Sequence, residues 1–186
     1  MKKTPKLIIN LSVFNSYNNL IKIISHIKSE NLNITKIIII DNNSSNSIKE
    51  KLDIIKKVKN LYPIKLKLII NKKNYGLGGS QKILFSKLKK EKFDYLINLG
   101  TSGRYNVKTV MSDVKKNIVS KKDYYLFSRF INKKSTLNYD KLRIFFNKVF
   151  IIITKMLTGT HFSDPGQSTY ILKKDIGYVK DVTEYV

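Results

Sequence analysis

The feature that most constrains the fold is a series of short apolar runs rich in β-branched residues: LIINLSV at 7–13, IIII at 37–40, LKLII at 66–70, YLINL at 95–99 and YYLFSRF at 124–130. Apolarity that is nearly continuous, rather than alternating, marks strands buried on both faces, as in a parallel sheet. Between the runs, apolar residues three and four apart predict helices over 20–27, 48–61, 82–88 and 107–119. Ser47 and Glu50 form a capping-box pattern at the start of the second helix. Strand and helix in alternation predict an α/β domain, a parallel sheet flanked by helices with right-handed crossovers. At 186 residues the chain has room for one full core, so residues 1–186 are expected to form a single domain.

In such a sheet a ligand binds beyond the carboxyl ends of the strands, so the residues just after each apolar run are the informative ones. These are Asn15, the stretch 41–46, the stretch 74–79 and the stretch 100–106. Asp41 ends the second run in IIIIDNNSSNS, where a carboxylate can accept hydrogen bonds from a base or ribose, or can form the turn or cap the next helix. NYGLGGSQK, at 74–82, is a glycine-rich strand-to-helix turn that either lets backbone approach a phosphate or simply turns tightly. It is not a Walker loop, and Gln81 stands where a dinucleotide fingerprint needs its third glycine.

Lysine and arginine outnumber aspartate and glutamate by 36 to 13, a formal net charge of +23. That excess either marks a surface for phosphates and anionic lipid or reflects a composition rich in Lys, Ile and Asn; the only arginines are Arg104, Arg129 and Arg143. The absence of cysteine excludes disulfides and thiolate metal sites. His26 and His161 have no second histidine at ligand spacing, which speaks against a zinc centre or a histidine-based nucleophile. Aromatics are spread along the chain without an RNA-recognition pattern, so no nucleic-acid partner is expected; net charge alone supports that third possibility. The opening MKKTPKLIINLSVF is basic, but its apolar run is short, is broken by Asn10 and lacks a cleavage site, so it reads as a first strand. The stretch 138–158 is too short and too interrupted by Asn147, Lys148 and Lys155 for a membrane span; it suits a core helix or one lying along a membrane surface.

In order, these segments resemble glycosyltransferase family 2, in its branch that moves a sugar from a nucleotide to a polyprenyl or dolichyl phosphate. LSVFNSYNNL resembles the opening strand and turn, keeping Asn15, with Ser12 where proline is usual and Ser16 where an acid is usual. IIIIDNNSS resembles the nucleotide-binding aspartate segment, with Asp41 kept and Asn42 replacing its acidic neighbour, and NYGLGGSQK resembles the Asn-x-Gly-x-Gly stretch. SRF at 128–130, Arg143, Asn147 and the DPG of 164–166 resemble the second half of the polyprenyl-phosphate branch. The likeness runs from Leu7 to about Lys174.

The resemblance implies a GT-A fold, a Rossmann-like mixed, mostly parallel sheet flanked by helices, and inverting transfer from a UDP- or GDP-sugar to a polyprenyl-phosphate-type acceptor, by a protein facing the cytoplasm and peripheral to the membrane. It implies that Asn15, Asp41, Asn42, Asn74, Gly76, Gly78 and Ser102 bind the nucleotide-sugar, and that Ser128, Arg129 and Arg143 hold the acceptor phosphate. Aligned through Gly103, the family's Asp-x-Asp-Gly-Gln loop becomes Gly100, Thr101, Ser102, Gly103 and Arg104, so both carboxylates that would hold Mg2+ or Mn2+ are replaced. No metal site is therefore expected, and two outcomes stay open. Either Arg104, with Arg129, supplies catalytic positive charge in the metal's place, or the protein is an inactive relative that binds a nucleotide, membrane or partner. Relatives continue past the DPG segment, and an ending at Val186 is expected to be a shortened one.

Overall fold

The computed structural model describes residues 4–103, 106–119, 123–128, 140–159, 163–164 and 169–174. In chain order the strands are β1 (Leu7–Val13), β2 (Ile34–Asp41), β3 (Leu66–Ile70), β4 (Tyr95–Gly100), β5 (Tyr124–Leu126) and β6 (Tyr170–Lys173). The helices are α1 (Leu20–Ser29), after a 3-10 turn over Tyr17–Asn19, then α2 (Ile48–Leu61), α3 (Gly76–Leu88), α4 (Val107–Val119) and α5 (Lys141–Thr158). One sheet runs in the order β3-β2-β1-β4-β6-β5. The β1–β2, β1–β4 and β2–β3 pairs are parallel, whereas β6 is antiparallel to both β4 and β5. The mixed, mostly parallel sheet of the sequence reading is what forms.

The unbroken apolar runs are needed because both faces of the central strands are covered. Leu7, Ile9 and Leu11 of β1 join Ile37, Ile39, Ile97 and Leu99 under α1, α2 and α4, while Ile8, Ile38, Ile40 and Leu96 meet Leu84 and Leu88 of α3. Each fully buried Ile or Leu of this kind contributes roughly 1.5–3 kcal/mol. Within the α3-side face two asparagines stand side by side: Asn10 Nδ2 donates to Asn98 Oδ1 at 2.5 Å, in register across β1 and β4. Gln81 Nε2 donates to the same oxygen, and Tyr170 hydroxyl donates to Gln81 Oε1, so these groups are linked inside the core, while Asn10 Oδ1 is buried without a partner among the described residues.

Three boundaries differ from the sequence reading. β2 starts three residues earlier than 37–40 suggested, because Ile34 packs into the core while Thr35 donates to the Leu7 carbonyl at 3.0 Å. The helix expected over 82–88 begins at Gly76, so the glycines form its first turn rather than a loop before it. β6 was not anticipated: its four residues are too few for periodicity, and pairing with β4 creates it. The 124–130 run is a strand to Leu126, and its last two residues lie outside the described part. The capping box forms as expected, with Glu50 N donating to Ser47 Oγ and Ser47 N to Glu50 Oε2.

Candidate functional site

Strand order reverses at β1: the chain steps outward through β2 and β3, then returns to place β4 on β1's other side. The carboxyl ends of β1 and β4 therefore flank the crevice where open α/β sheets bind ligands. Four loops meet there, and polar side chains tie each to the next.

At the end of β2, Ser44 N and Ser44 Oγ both donate to Asp41 Oδ1, at 2.8 and 2.5 Å, around Asn43 in a left-handed conformation (φ 63°). Lys51 of α2 brings Nζ to 2.8 Å from Asp41 Oδ2 and donates to the Ser44 carbonyl at 2.8 Å. Asp41 has no exposed surface. Burial alone would raise its pKa, but the Lys51 ammonium and the two Ser44 donors outweigh that and hold the carboxyl below its usual range. Burial, with the Asp41 charge beside it, pushes the Tyr17 phenol well above the usual range.

Asn15, also left-handed (φ 50°), joins the β1 loop to this turn: its N–H donates to Ser44 Oγ at 2.9 Å and its Oδ1 accepts from Ser45 N at 2.9 Å. Asn42 joins the turn to the glycine-rich segment. Its Oδ1 accepts from Asn71 Nδ2 at 3.1 Å and Tyr75 N at 2.9 Å, and its Nδ2 donates to Asn74 Oδ1 and, at 3.3 Å, to the Gly76 carbonyl. Both donors and both lone pairs of the carboxamide are used. Asn74 Oδ1 also accepts from Gly76 N at 2.8 Å, supporting the positive φ (68°) at which α3 starts.

The β4 loop is held by Thr101, which is buried: its Oγ1 donates to the Ser12 carbonyl at 2.9 Å and pairs with Ser16 Oγ at 2.5 Å, while its carbonyl accepts from Asn19 Nδ2 at 2.8 Å. The donors this loop offers to a cation are then limited. Gly100 has no side chain, the Thr101 hydroxyl is turned inward, and exposed Ser102 offers one neutral hydroxyl. A hard divalent cation takes several oxygen ligands, mostly charged, so the described loop residues do not fit the group that the resemblance implies. Among the described residues no three His, Asp or Glu side chains gather into a metal site.

The predicted site residues Asn15, Asp41, Asn42, Asn74 and Gly76 are thus brought together, but as the frame of the site. Asp41 in particular lies beneath the turn, with no exposed surface. Gly78 and Ser102 are exposed, as are Phe14, Lys72, Lys73 and Tyr75 in the same loops, with Lys73 Nζ 5.6 Å from the Tyr75 ring centroid. Sequence reasoning passed over Lys51, Asn71 and Phe14, and took Thr101 and Tyr75 only as members of the stretches 100–106 and 74–79, because only the assembled loops give each a role of its own. Ser128 is half-buried just after β5; Arg104, Arg129, His161 and the Pro165–Gly166 part of the DPG segment lie outside the described residues, as does the side chain of Arg143 within α5. Asp164, the first residue of that segment, is buried.

The sequence model of the family described as Glycosyl transferase family 2 matches residues 9–176. The chain belongs to glycosyltransferase family 2. Among solved structures, this family 2 chain is similar to the mannosyltransferase PcManGT from Pyrobaculum calidifontis in complex with GDP-Man and Mn2+, with a TM-score of 0.60 and 9% identity over 97% of this chain and 48% of that one. It is similar also to glucosyl-3-phosphoglycerate synthase from Mycobacterium tuberculosis in complex with Mn2+, UDP and glucosyl-3-phosphoglycerate, with a TM-score of 0.59 and 10% identity over 91% and 57%. Likeness to S. aureus TarS 1-349 is partial, at a TM-score of 0.47 and 17% identity over 66% and 35%. The family 2 chain spans from 35% to 57% of the length of these structures. The shared fold is GT-A. No curated protein matches the chain.

Proposed function

We propose that the protein transfers a sugar from a UDP- or GDP-linked donor to a phosphate-bearing acceptor of the polyprenyl-phosphate type at a membrane surface. The observation that carries this reading is the hydrogen-bonded frame itself: Asn15, Asn42, Asn74 and Thr101 fix four loops at the crevice between β1 and β4. Such preorganisation keeps the ordering cost out of the binding step. Family membership and the GT-A likeness supply the class of chemistry.

In this reading the donor base lies among Phe14, Asn43 and Tyr75, where exposed aromatic faces offer stacking. Asp41 and Asn42 act through the turn that they hold. The diphosphate faces the start of α3 at Gly76 and Gly78, with Lys72, Lys73, Ser102 and Arg104 supplying donors and positive charge. An acceptor phosphate oxygen held by Ser128, Arg129 and Arg143 attacks the anomeric carbon, and the bond from that carbon to the diphosphate oxygen breaks on the opposite face, which inverts the centre. Nucleophile and leaving group are both anions, so no proton has to be removed; the requirement is positive charge where the diphosphate departs, and Arg guanidiniums match its oxygens. Transfer then proceeds without the family's divalent site.

Thermal-shift titration with UDP- and GDP-sugars, with and without a chelator, tests this. The expected result is a rise in melting temperature with one of the two donors that the chelator leaves unchanged and Arg104→Ala diminishes; strict dependence on Mg2+ or Mn2+ would refute it. The neutral Gly100–Ser102 loop favours one second reading, a binding module without turnover. Donor binding with no sugar transferred to any phosphate acceptor would select it.

A further inference from the structure

α5 is an inverted amphipathic helix. Its polar Asn147 and Thr154 are half-buried with Ile144 and Ile151, while its larger apolar side chains face solvent. Met156 is 79% and Leu157 81% exposed, and Leu142, Phe145, Phe146 and Phe150 are each at least half exposed. At about 100° per residue, these side chains span an arc of about 140°. Lys141, Lys148 and Lys155, seven residues apart and all exposed, fall on one stripe along an edge of that arc. The helix contains no acidic residue. An apolar patch of this extent marks an interaction surface.

The lysine edge and the absence of acid decide among the surfaces that could cover it. A second copy would bring a further +23 against the first, which opposes association through a lysine-edged face. An anionic bilayer supplies what this face lacks: phosphate at the depth of the lysine heads and hydrocarbon at the depth of the phenylalanines. Among the described residues no helix is long and apolar enough to cross a membrane, whereas the 18 residues of α5 give a rod about 27 Å long that can lie flat. We propose that α5 is an in-plane anchor whose apolar arc enters the headgroup–acyl boundary of an anionic membrane, with Lys141, Lys148 and Lys155 at the phosphate level. The proposal deepens the membrane-surface part of the function above, yet its test needs neither donor nor acceptor, so either can fail alone.

The experiment is vesicle flotation of the full chain with phosphatidylcholine alone and with phosphatidylcholine containing phosphatidylglycerol. Binding is expected on the anionic vesicles and weakens as salt rises. Lys141→Gln/Lys148→Gln/Lys155→Gln should lower that affinity about a hundredfold, and Phe146→Ser/Phe150→Ser should do so by at least a similar factor. Both variants change exposed side chains, so their circular dichroism and melting temperature should match those of the parent. Three results would overturn the proposal: no binding to anionic vesicles; parental affinity in both variants, which would put binding on the other lysines; or a dimer in sedimentation that Phe146→Ser/Phe150→Ser dissociates without any vesicle binding.

Discussion

Lys51 Nζ lies 2.8 Å from Asp41 Oδ2, and both side chains are buried. The pair joins α2 to the end of β2 and holds the turn on which Asn15 and Asn42 build. Removing one member of a buried pair strands the other charge, at a cost of about 3–5 kcal/mol. Lys51→Met should lower unfolding stability by that amount in urea titration, and adding Asp41→Asn should restore most of it. A single variant as stable as the parent would show that the charge is not confined.

The same carboxyl sets an acid limit. Asp41 binds its proton more weakly in the native state than in the unfolded one, where the usual value is 3.8. Its contribution to stability is therefore complete above that value and is lost as pH falls from there through the lowered native pKa. Urea midpoints taken from neutral pH downward should fall steeply below about pH 4, and more shallowly in Lys51→Met/Asp41→Asn. Glu91, whose pKa the Lys36 hydrogen bond lowers, adds a smaller loss at the other end of the sheet.

Two adjacent glycines in α3 should respond in opposite ways. A Cβ at Gly79 would sit 2.6 Å from Tyr75 Cβ, so Gly79→Ala must displace Tyr75 and should cost about 1–3 kcal/mol. At Gly78 a Cβ meets nothing within 4 Å, so Gly78→Ala should stabilise the helix by up to about 1 kcal/mol. If a donor phosphate approaches this turn, the same Gly78→Ala protein will melt higher yet bind the nucleotide-sugar more weakly. Melting curves with a donor titration read both.

Thr101→Val keeps the shape and removes the hydroxyl that ties the β4 loop to Ser12 and Ser16. The loss should be about 1–3 kcal/mol, since the Ser12 carbonyl loses one donor and the Ser16 hydroxyl its partner. Hydrogen exchange at Ser102 and Gly103 should quicken in the variant while exchange in β4 holds.

Much of the fold was legible in the chain because β1, β2 and β4 are buried on both faces, which forces unbroken apolar runs, and because α2 carries its own capping box. β6 was not legible: pairing with β4, more than seventy residues earlier in sequence, makes it a strand. The start of α3 was hidden because glycines disfavour a helix locally, and the Asn74 and Asn42 hydrogen bonds outweigh that preference. The site was legible as a set of positions. Asp41 was recognisable as a carboxylate at a strand end, but Lys51, ten residues on, is one of many lysines in the sequence, and nothing in its neighbours marks it as a buried one.

By itself, then, the sequence determined the α/β alternation and the family, and pointed to the carboxyl ends of the strands for the candidate site, since these follow from residue types at short range and from motif order. Tertiary structure decided which polar groups stay available to a ligand and which way α5 faces. A hydrogen-bonding side chain has few bonds to give, and whether a neighbouring loop takes them depends on contacts between residues far apart in the chain. The sequence showed where Asn42 stands, but only the folded loops spend its carboxamide on Asn71, Asn74, Tyr75 and Gly76.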